Sequence, residues 1–172
     1  LPKCWTTTSS VPSLLRPGDR VCFTPVPRLE STTRIVRPCL ESRGGFEVTD
    51  AGPLTSVQDP GRPGLQAFGI SPGGAADPVA MRVVNRLAGN PDNAAVLEYC
   101  MRGPLLRFHE SVRVAWTGSG KPMLLHAGDE LDLRGRMDPL RGYLAVAGGI
   151  DAPVVLGSRA TDLRAGFGGW QG

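Results

Sequence analysis

The stretch VQDPGRPGLQAFGISPGGAAD, residues 57–77, is the part of the sequence that most constrains the fold. Six glycines and prolines fall between Pro60 and Pro72, and Gly73 and Gly74 follow directly. Glycine allows backbone angles that other residues avoid, and proline removes a hydrogen-bond donor. The stretch therefore cannot be a regular helix or a central strand, and we expect a long, shaped loop that carries polar side chains.

A helix is predicted directly after this loop. Asp77 suits the N-cap, because its carboxylate can accept from free backbone N–H groups, and Pro78 suits the first helical position. Gly89 suits the position just past the last helical turn, so the helix should run from Pro78 to Ala88. Helical spacing places four apolar side chains on one face, away from Arg82, Asn85 and Arg86: Val79, Val83, Val84 and Leu87.

The remaining apolar runs are short and separated by turns. Glycine, with 23 residues, and proline, with 16, are frequent, while aromatic residues make up only 6%, which favours a β-rich fold. Many strands with one helix predict a mainly β protein, either a barrel or a barrel-like sheet partly closed by the helix. Strands are expected at residues 46–49, 54–57, 95–101, 105–108, 112–117, 124–125, 131–133 and 143–147.

The first 45 residues differ in character from the rest. Residues 17–26 read as a turn followed by a strand, and the chain then becomes polar and ends in Gly44 and Gly45. A length of 172 residues suits one domain, or one domain and a fragment. We therefore divide the chain into residues 1–45 and residues 46–172.

Composition argues against several classes of function. The net charge is +3, and the arginines are scattered, so the basic patch typical of nucleic-acid binding is not visible. The four cysteines form no CxxC pair, and the only histidines are His109 and His126, which does not supply a zinc site. Each histidine is more often a packed or surface residue than a catalyst. No secretory signal and no apolar run of about 20 residues is found, so a cytoplasmic protein without metal or membrane contact is expected.

The loop carries the first set of candidate site residues. Arginine can hold a carboxylate or phosphate through two parallel hydrogen bonds, and aspartate can orient the arginine or accept a proton. The alternative is an Asp59–Arg62 ion pair that only braces the loop. The set comprises Gln58, Asp59, Arg62, Ser71 and Asp77.

Further candidates lie on the helix, in the next apolar strand and near the C-terminal end. Asn85 is on the helix, whereas Asn90 reads as a turn residue. Glu98 stands in an apolar strand, where a carboxylate either faces solvent or is buried with partners. No Walker phosphate loop and no GxSxG motif occurs. The glycine-rich C-terminal part adds Ser158, Arg159 and Thr161.

Five motifs follow one another along the chain: GPLTSVQDPGRPG (52–64), GGAADP (73–78), NRLAGNP (85–91), LAVAGGID (144–151) and LGSRATDLRAGFGG (156–169). Together and in this order they resemble subunit 2 of the allophanate hydrolase-like proteins. That family includes the C subunit of 5-oxoprolinase, the carboxyltransferase domain of urea carboxylase and an antagonist of a sporulation kinase inhibitor. LLRPGDRVCFTPV, residues 14–26, is similar to the final strand of the companion subunit 1, so residues 1–45 would be the tail of such a domain fused in front.

The resemblance implies a partial cyclophilin-like β-barrel and a part in amide or carboxyl chemistry. On that view Arg62 and Arg159 hold an anionic group, and Asp59 and Glu98 orient substrate or assist proton transfer. No cofactor would be tightly bound, and ATP or carboxybiotin would act through the complex. The partners would be the fused subunit 1-like domain, further subunits and a small amide or urea-type substrate. The implied catalytic residues are Asp59, Arg62 and Glu98, and the implied substrate-binding residues are Gln58, Ser71, Asp77, Asn85, Ser158, Arg159 and Thr161.

The chain also departs from the family pattern. A second half is absent, and the segment between Gly118 and Gly128 is short enough that we expect a hairpin to be missing there. The fragment alone is therefore expected to be inactive, and to dimerise or aggregate through an apolar surface. The alternative function is a non-catalytic interaction protein of the kinase-inhibitor-antagonist type.

Overall fold

The computed structural model describes residues 45–135 and 140–170. Residues 1–44 lie outside this part, so the division near residue 45 and the strand expected within 17–26 stay predictions. Among the described residues, no helix combines the length and apolar character that a bilayer crossing requires. The elements are β1 (Phe46–Asp50), β2 (Thr55–Gln58), a short 3-10 helix (Gln66–Phe68), α1 (Pro78–Ala88), β3 (Val96–Cys100), β4 (Leu105–Phe108), β5 (Val112–Trp116), β6 (Met123–Leu125), β7 (Glu130–Asp132) and β8 (Arg141–Val146).

The strands form two antiparallel sheets, in the orders β1-β4-β7 and β2-β3-β8-β5-β6. The mainly β fold with one α-helix is therefore confirmed, although the sheets do not close into a barrel within the described residues. β1 and β2 are neighbours in sequence but join different sheets. β6 lies in the shortened segment and pairs with β5, so a hairpin is present there.

Strand β8 has buried side chains on both of its faces. Leu144 and Val146 join the larger apolar core between the sheets, whereas Tyr143 and Ala145 face helix α1. This alternation is the ordinary geometry of a strand. In β3, Glu98 is paired with Tyr143, so the carboxylate lies on the helix side of the sheet.

Both ends of α1 lie where the sequence predicts them. The Asp77 carboxylate accepts hydrogen bonds from the backbone N–H groups of Val79 and Ala80, each at 3.0 Å. Gly89 ends the helix in the left-handed conformation, with φ at 88°. The capping signals alone therefore located this helix.

The predicted apolar face of α1 is correct for Val84 and Leu87, which pack against the core, but wrong for Val79 and Val83. Val79 is 67% exposed and Val83 is 50% exposed, whereas Asn85 is fully buried. The buried face consists of Met81, Val84, Asn85 and Ala88. Met81 and the small Ala88 belong to the buried face although neither is a branched apolar residue. Asn85 can be buried because its amide is hydrogen-bonded.

The loop after β2 has a paired neck and a projecting tip. The Arg62 N–H donates to the Pro72 carbonyl at 2.7 Å, and the Ala75 N–H donates to the Asp59 carbonyl at 2.9 Å. At Gly61 the backbone has φ at 85°, and a Cβ atom would collide with the Pro72 carbonyl and lie 2.7 Å from the Gly73 carbonyl oxygen. The close approach of the two sides of the neck therefore requires glycine at position 61.

We expect Asp77→Ala to lower the free energy of unfolding by about 1 kcal/mol, because two helical N–H groups lose their acceptor. Asp77→Asn is the matched control, since asparagine caps helices equally well. Urea denaturation of the two variants measures the difference. Equal losses in both would contradict the capping role.

A second pair of variants tests the neck of the loop. Gly61 and Gly64 have similar φ angles, 85° and 91°, but a Cβ at Gly64 would meet nothing within 4 Å. Gly61→Ala should therefore destabilise the protein by about 2 kcal/mol more than Gly64→Ala, since only it adds a steric clash. Thermal or urea unfolding measures both, and indistinguishable stabilities would show that the neck is not tightly packed.

Candidate functional site

The carboxylate of Asp59 joins the loop to the C-terminal segment. Its Oδ1 accepts from the Gly61 N–H at 2.7 Å and from the Ser158 hydroxyl at 2.6 Å. Its Oδ2 accepts from the Arg159 N–H at 2.6 Å. Three donors thus converge on one buried carboxylate, and hydrogen bonds to a charged acceptor are the stronger kind.

Arg62 is 2% exposed and lies beneath the same loop. Its Nε donates to the Val155 carbonyl at 3.4 Å, and its Nη2 donates to the Ala160 carbonyl. The guanidinium carbon lies 4.7 Å from the centre of the Phe167 ring, which provides a cation–π contact. Nη1 is buried and has no hydrogen-bond partner among residues 45–135 and 140–170.

The charge of Arg62 is not neutralised by direct contact with a carboxylate. Among the ion pairs that the described residues form, none includes Arg62, so the predicted alternative of an Asp59–Arg62 brace is not found. Burial lowers the pKa of the Arg62 guanidinium from its ordinary value, and the charges of Asp59 and Asp162 oppose that shift. The protein therefore holds a buried cation whose nearest contacts are neutral carbonyls and a ring.

Gln58 and Thr161 extend this cluster along the end of β2. The Gln58 Nε2 donates to the Ser56 hydroxyl at 3.0 Å and to the Thr161 carbonyl at 3.2 Å. The Thr161 N–H donates to the Val57 carbonyl at 2.9 Å. Gln58 Oε1 is buried without a partner. The C-terminal segment is therefore held against both β2 and the loop.

A second buried carboxylate, Glu98, holds the other end of the loop. Its Oε2 accepts from the Ala76 N–H and from the Tyr143 hydroxyl, each at 2.8 Å. Its Oε1 accepts from Arg141 Nη1 at 2.7 Å. The Tyr143 oxygen in turn accepts from the Asp77 N–H at 2.7 Å. Of the two alternatives for Glu98, the buried one is therefore correct.

The two carboxylates share one structural task, because each accepts backbone N–H groups of the loop. Asp59 holds its beginning and Glu98 holds its end, at Ala76. Burial raises the pKa of the Tyr143 hydroxyl well above its ordinary value, so that this group remains a donor to Glu98. These contacts suit a role in positioning the loop, and the predicted part of Asp59 and Glu98 in proton transfer stays a prediction.

Besides Glu98, three predicted site residues lie apart from the Asp59 and Arg62 cluster. Ser71 is exposed on the loop, where its hydroxyl accepts from the Gly73 N–H at 3.2 Å. Asp77 caps the start of α1, and Asn85 lies in its last turns. The Asn85 Nδ2 donates to the Ala94 carbonyl at 2.8 Å. Their substrate-binding roles stay predictions, while Gln58, Asp59, Arg62, Ser158, Arg159 and Thr161 are brought together.

Sequence reasoning missed Tyr143 and the structural importance of Asn90. Tyr143 was predicted only as part of an apolar strand, although a buried tyrosine hydroxyl needs a partner and Glu98 offered one. Asn90 Nδ2 donates to Asn85 Oδ1 at 3.1 Å and to the Val146 carbonyl at 2.8 Å. Its Oδ1 accepts from the Gly148 N–H at 2.8 Å, so Asn90 joins the end of α1 to β8 rather than only forming a turn.

Neither histidine belongs to the cluster. His109 and His126 are both exposed, and His126 Nδ1 lies 3.3 Å from the Ser111 hydroxyl. Within residues 45–135 and 140–170, no three His, Cys, Asp or Glu side chains are grouped so as to hold a metal ion.

Asp59→Ala should destabilise the protein by about 3 kcal/mol or more, because three donors lose a charged acceptor. The comparison variant is Asp129→Ala, whose side chain accepts only from the His126 N–H in an exposed turn, and which should cost about 1 kcal/mol. Denaturant unfolding measures both. A loss at Asp59 no greater than that at Asp129 would refute the anchoring role.

Residues 68–172 match the family model for the carboxyltransferase domain, subdomain A and B. The C subunit of 5-oxoprolinase from Escherichia coli (strain K12) is 40% identical over 140 residues, which are 74% of this chain and 45% of that protein. Urea amidolyase of Lachancea kluyveri is 36% identical over 150 residues, 79% of this chain and 8% of that protein. This chain thus spans less than half the length of either relative.

The fold agrees with this match. A crystal structure of TTHA0988 superposes with a TM-score of 0.77 at 32% identity, covering 96% of this chain and 38% of that one. The family model covers more than half of the chain and includes α1, β3–β8 and the Ser158–Thr161 segment. The chain therefore belongs to the family of carboxyltransferase domains with subdomains A and B.

Proposed function

We propose that this chain works within an ATP-dependent, amide-hydrolysing complex of the 5-oxoprolinase type. Biotin-dependent carboxyl transfer to a urea-type substrate is the second enzymatic candidate. The relatives support both, since one is named a 5-oxoprolinase subunit and the other a urea amidolyase. Each name describes a larger enzyme, and this chain would contribute one part of it.

The observation that carries the proposal is the state of Arg62. A buried guanidinium with one unpaired nitrogen and no ion pair favours an anionic ligand, because the ligand would supply both the missing acceptor and the missing charge. 5-Oxoproline is a cyclic amide that bears a carboxylate, whereas urea is neutral. The carboxylate of 5-oxoproline could therefore pair with the free nitrogen of Arg62. In the carboxyltransferase reaction, carboxybiotin would be the anion that could do so.

The residues around Arg62 would hold the loop and the C-terminal segment in place beside the substrate. Asp59 and Glu98 fix the two ends of the loop, and Ser158 and the Arg159 N–H lock the C-terminal segment to Asp59. The Arg159 side chain is one-third exposed, donates to the Ala152 carbonyl at 2.6 Å, and forms an ion pair with the exposed Asp151 carboxylate at 3.3 Å. It is therefore placed to offer a second cation at the edge of the cluster.

The energy source and the rest of the site would come from partners. ATP bound elsewhere in the complex would drive the opening of the amide ring, and Arg62 and Arg159 would hold the anionic part of the reactant. The subunit 1-like domain is proposed to precede residue 46 in the same polypeptide.

The tip of the loop favours a second function, that of a non-catalytic interaction protein. Phe68 is 37% exposed in the short 3-10 helix, and Gln66 and Ala67 beside it are exposed as well. A rigidly anchored loop that presents an aromatic side chain to solvent suits contact with another protein. In that case Phe68→Ser would weaken partner binding, whereas Arg62 substitutions that keep the fold would not.

Reconstitution of the full-length protein with its partner subunits tests the enzymatic proposal. We expect ADP release that depends on 5-oxoproline and exceeds release with urea and bicarbonate, while residues 1–172 alone give no turnover. Arg62→Lys should raise the KM for 5-oxoproline about tenfold, since a lysine cannot reproduce the guanidinium contacts.

Arg107→Lys is the matched control for this experiment. Arg107 pairs with Glu130 at 2.8 Å on the exposed face of the other sheet, so its replacement should leave KM unchanged. Turnover with urea and bicarbonate but not with 5-oxoproline would favour the carboxyltransferase candidate. No turnover with either compound, together with stable binding of a partner protein, would favour the interaction protein.

A further inference from the structure

Arg62 has only one nitrogen left for a ligand. Nε and Nη2 are committed to the carbonyls of Val155 and Ala160, which bind the side chain to the C-terminal segment. Nη1 is buried and unpaired. A ligand at this guanidinium would therefore be held through a single oxygen and not through the two parallel bonds that a free arginine offers.

Gly73 lies directly over this free nitrogen. A Cβ atom at Gly73 would be 3.2 Å from Arg62 Nη1, which is the one non-neighbouring heavy atom within 4 Å. Gly73 itself is exposed to solvent. The Cβ position of Gly73 thus faces Nη1, and glycine leaves this position unfilled.

Gly73 makes a longer hydrogen bond than the residues on either side. The Pro72 carbonyl accepts from the Arg62 N–H at 2.7 Å and the Ala75 N–H donates to the Asp59 carbonyl at 2.9 Å, whereas the Gly73 N–H donates to the exposed Ser71 hydroxyl at 3.2 Å. The Gly73 carbonyl lies close to Gly61, but the Cβ position of Gly73 would meet only Nη1 within 4 Å. With φ at 57°, Gly73 has the conformational freedom of a glycine.

The closed arrangement carries an energetic cost that a ligand would remove. A buried donor without a partner is unfavourable, and the charges of Asp59 and Asp162 only partly offset the cost of burying the guanidinium charge. Both defects concern the same guanidinium, and both are corrected by one anionic oxygen placed at Nη1. Movement of Gly73 is the smallest change that would admit such an oxygen.

We propose that Arg62 binds one carboxylate oxygen of the substrate through Nη1, and that Gly73 is the movable cover of this carboxylate site. This inference rests on the proposed function, because it describes how the substrate would reach Arg62. It adds that position 73 must remain glycine for the ligand to enter.

Isothermal titration calorimetry on the full-length protein with its partners tests the carboxylate contact. The probes are 5-oxoproline and pyrrolidinone, which is the same lactam without the carboxylate. Wild-type protein should bind 5-oxoproline at least about tenfold more tightly, the gain typical of one charge-assisted hydrogen bond. Equal affinities for the two probes would overturn the proposal.

Gly73→Ala and Gly69→Ala form the matched pair of variants. Both glycines have positive φ, 57° and 75°, but a Cβ at Gly69 would meet nothing within 4 Å. Gly73→Ala should weaken 5-oxoproline binding about tenfold or more by covering Nη1 with a methyl group, and Gly69→Ala should not. Equal affinities in the two variants would refute the role of Gly73 as a cover.

Side-chain NMR of arginine-labelled wild-type protein gives a readout that needs no folded Gly73 variant. 5-Oxoproline should shift the Arg62 guanidinium resonances, and pyrrolidinone should leave them in place; the reverse, or no shift with either, would overturn the contact. The proposed function fails separately, if 5-oxoproline does not stimulate ATP hydrolysis. Normal stimulation with unchanged Arg62 resonances would leave that function standing and remove only this inference.

Discussion

The hydrogen bonding of the Asp59 carboxylate is the interaction on which the rest of the site depends. One buried side chain accepts from the loop at Gly61, from the Ser158 hydroxyl and from the Arg159 N–H. Asp59 and Arg159 are 100 residues apart in sequence. Burial of a carboxylate is unfavourable unless several hydrogen-bond donors offset the loss of hydration. Because the donors to Asp59 come from the loop and from the C-terminal segment, its burial positions the two segments together.

Arg62 differs from Asp59 in having fewer hydrogen-bond partners than it could use, and this difference indicates which of the two could bind a ligand. Asp59 accepts from three donors, whereas Arg62 retains one unpaired nitrogen and has no carboxylate in direct contact among the described residues. A carboxylate with several donors suits a structural role, and a cation with an unpaired donor suits ligand binding. Because Asp59 and Glu98 hold the two ends of the loop, a small movement of its glycines need not displace the ends. The same loop also exposes Phe68 at its tip, so both catalysis and contact with a partner protein would depend on the anchoring of this loop.

Local signals predicted much of the architecture. Asp77, Pro78 and Gly89 located α1 to the residue, because capping depends only on backbone groups within one turn. The strands were found nearly at their observed positions, since alternation and turn residues act over short distances. The motifs identified the family that the comparisons show, and six of the candidate residues, Gln58, Asp59, Arg62, Ser158, Arg159 and Thr161, lie together.

The sequence by itself therefore determined the elements, the family and the polar residues of the loop. Only the tertiary structure decided that Val79 and Val83 face solvent, that Glu98 is buried against Tyr143, and that β1 and β2 join different sheets. It also decided that Arg62 contacts Val155, Ala160 and Phe167 instead of pairing with Asp59. The reason is that caps and periodicity are set within a few residues, whereas burial and hydrogen-bond partners depend on groups as far as 103 residues away that only packing brings together.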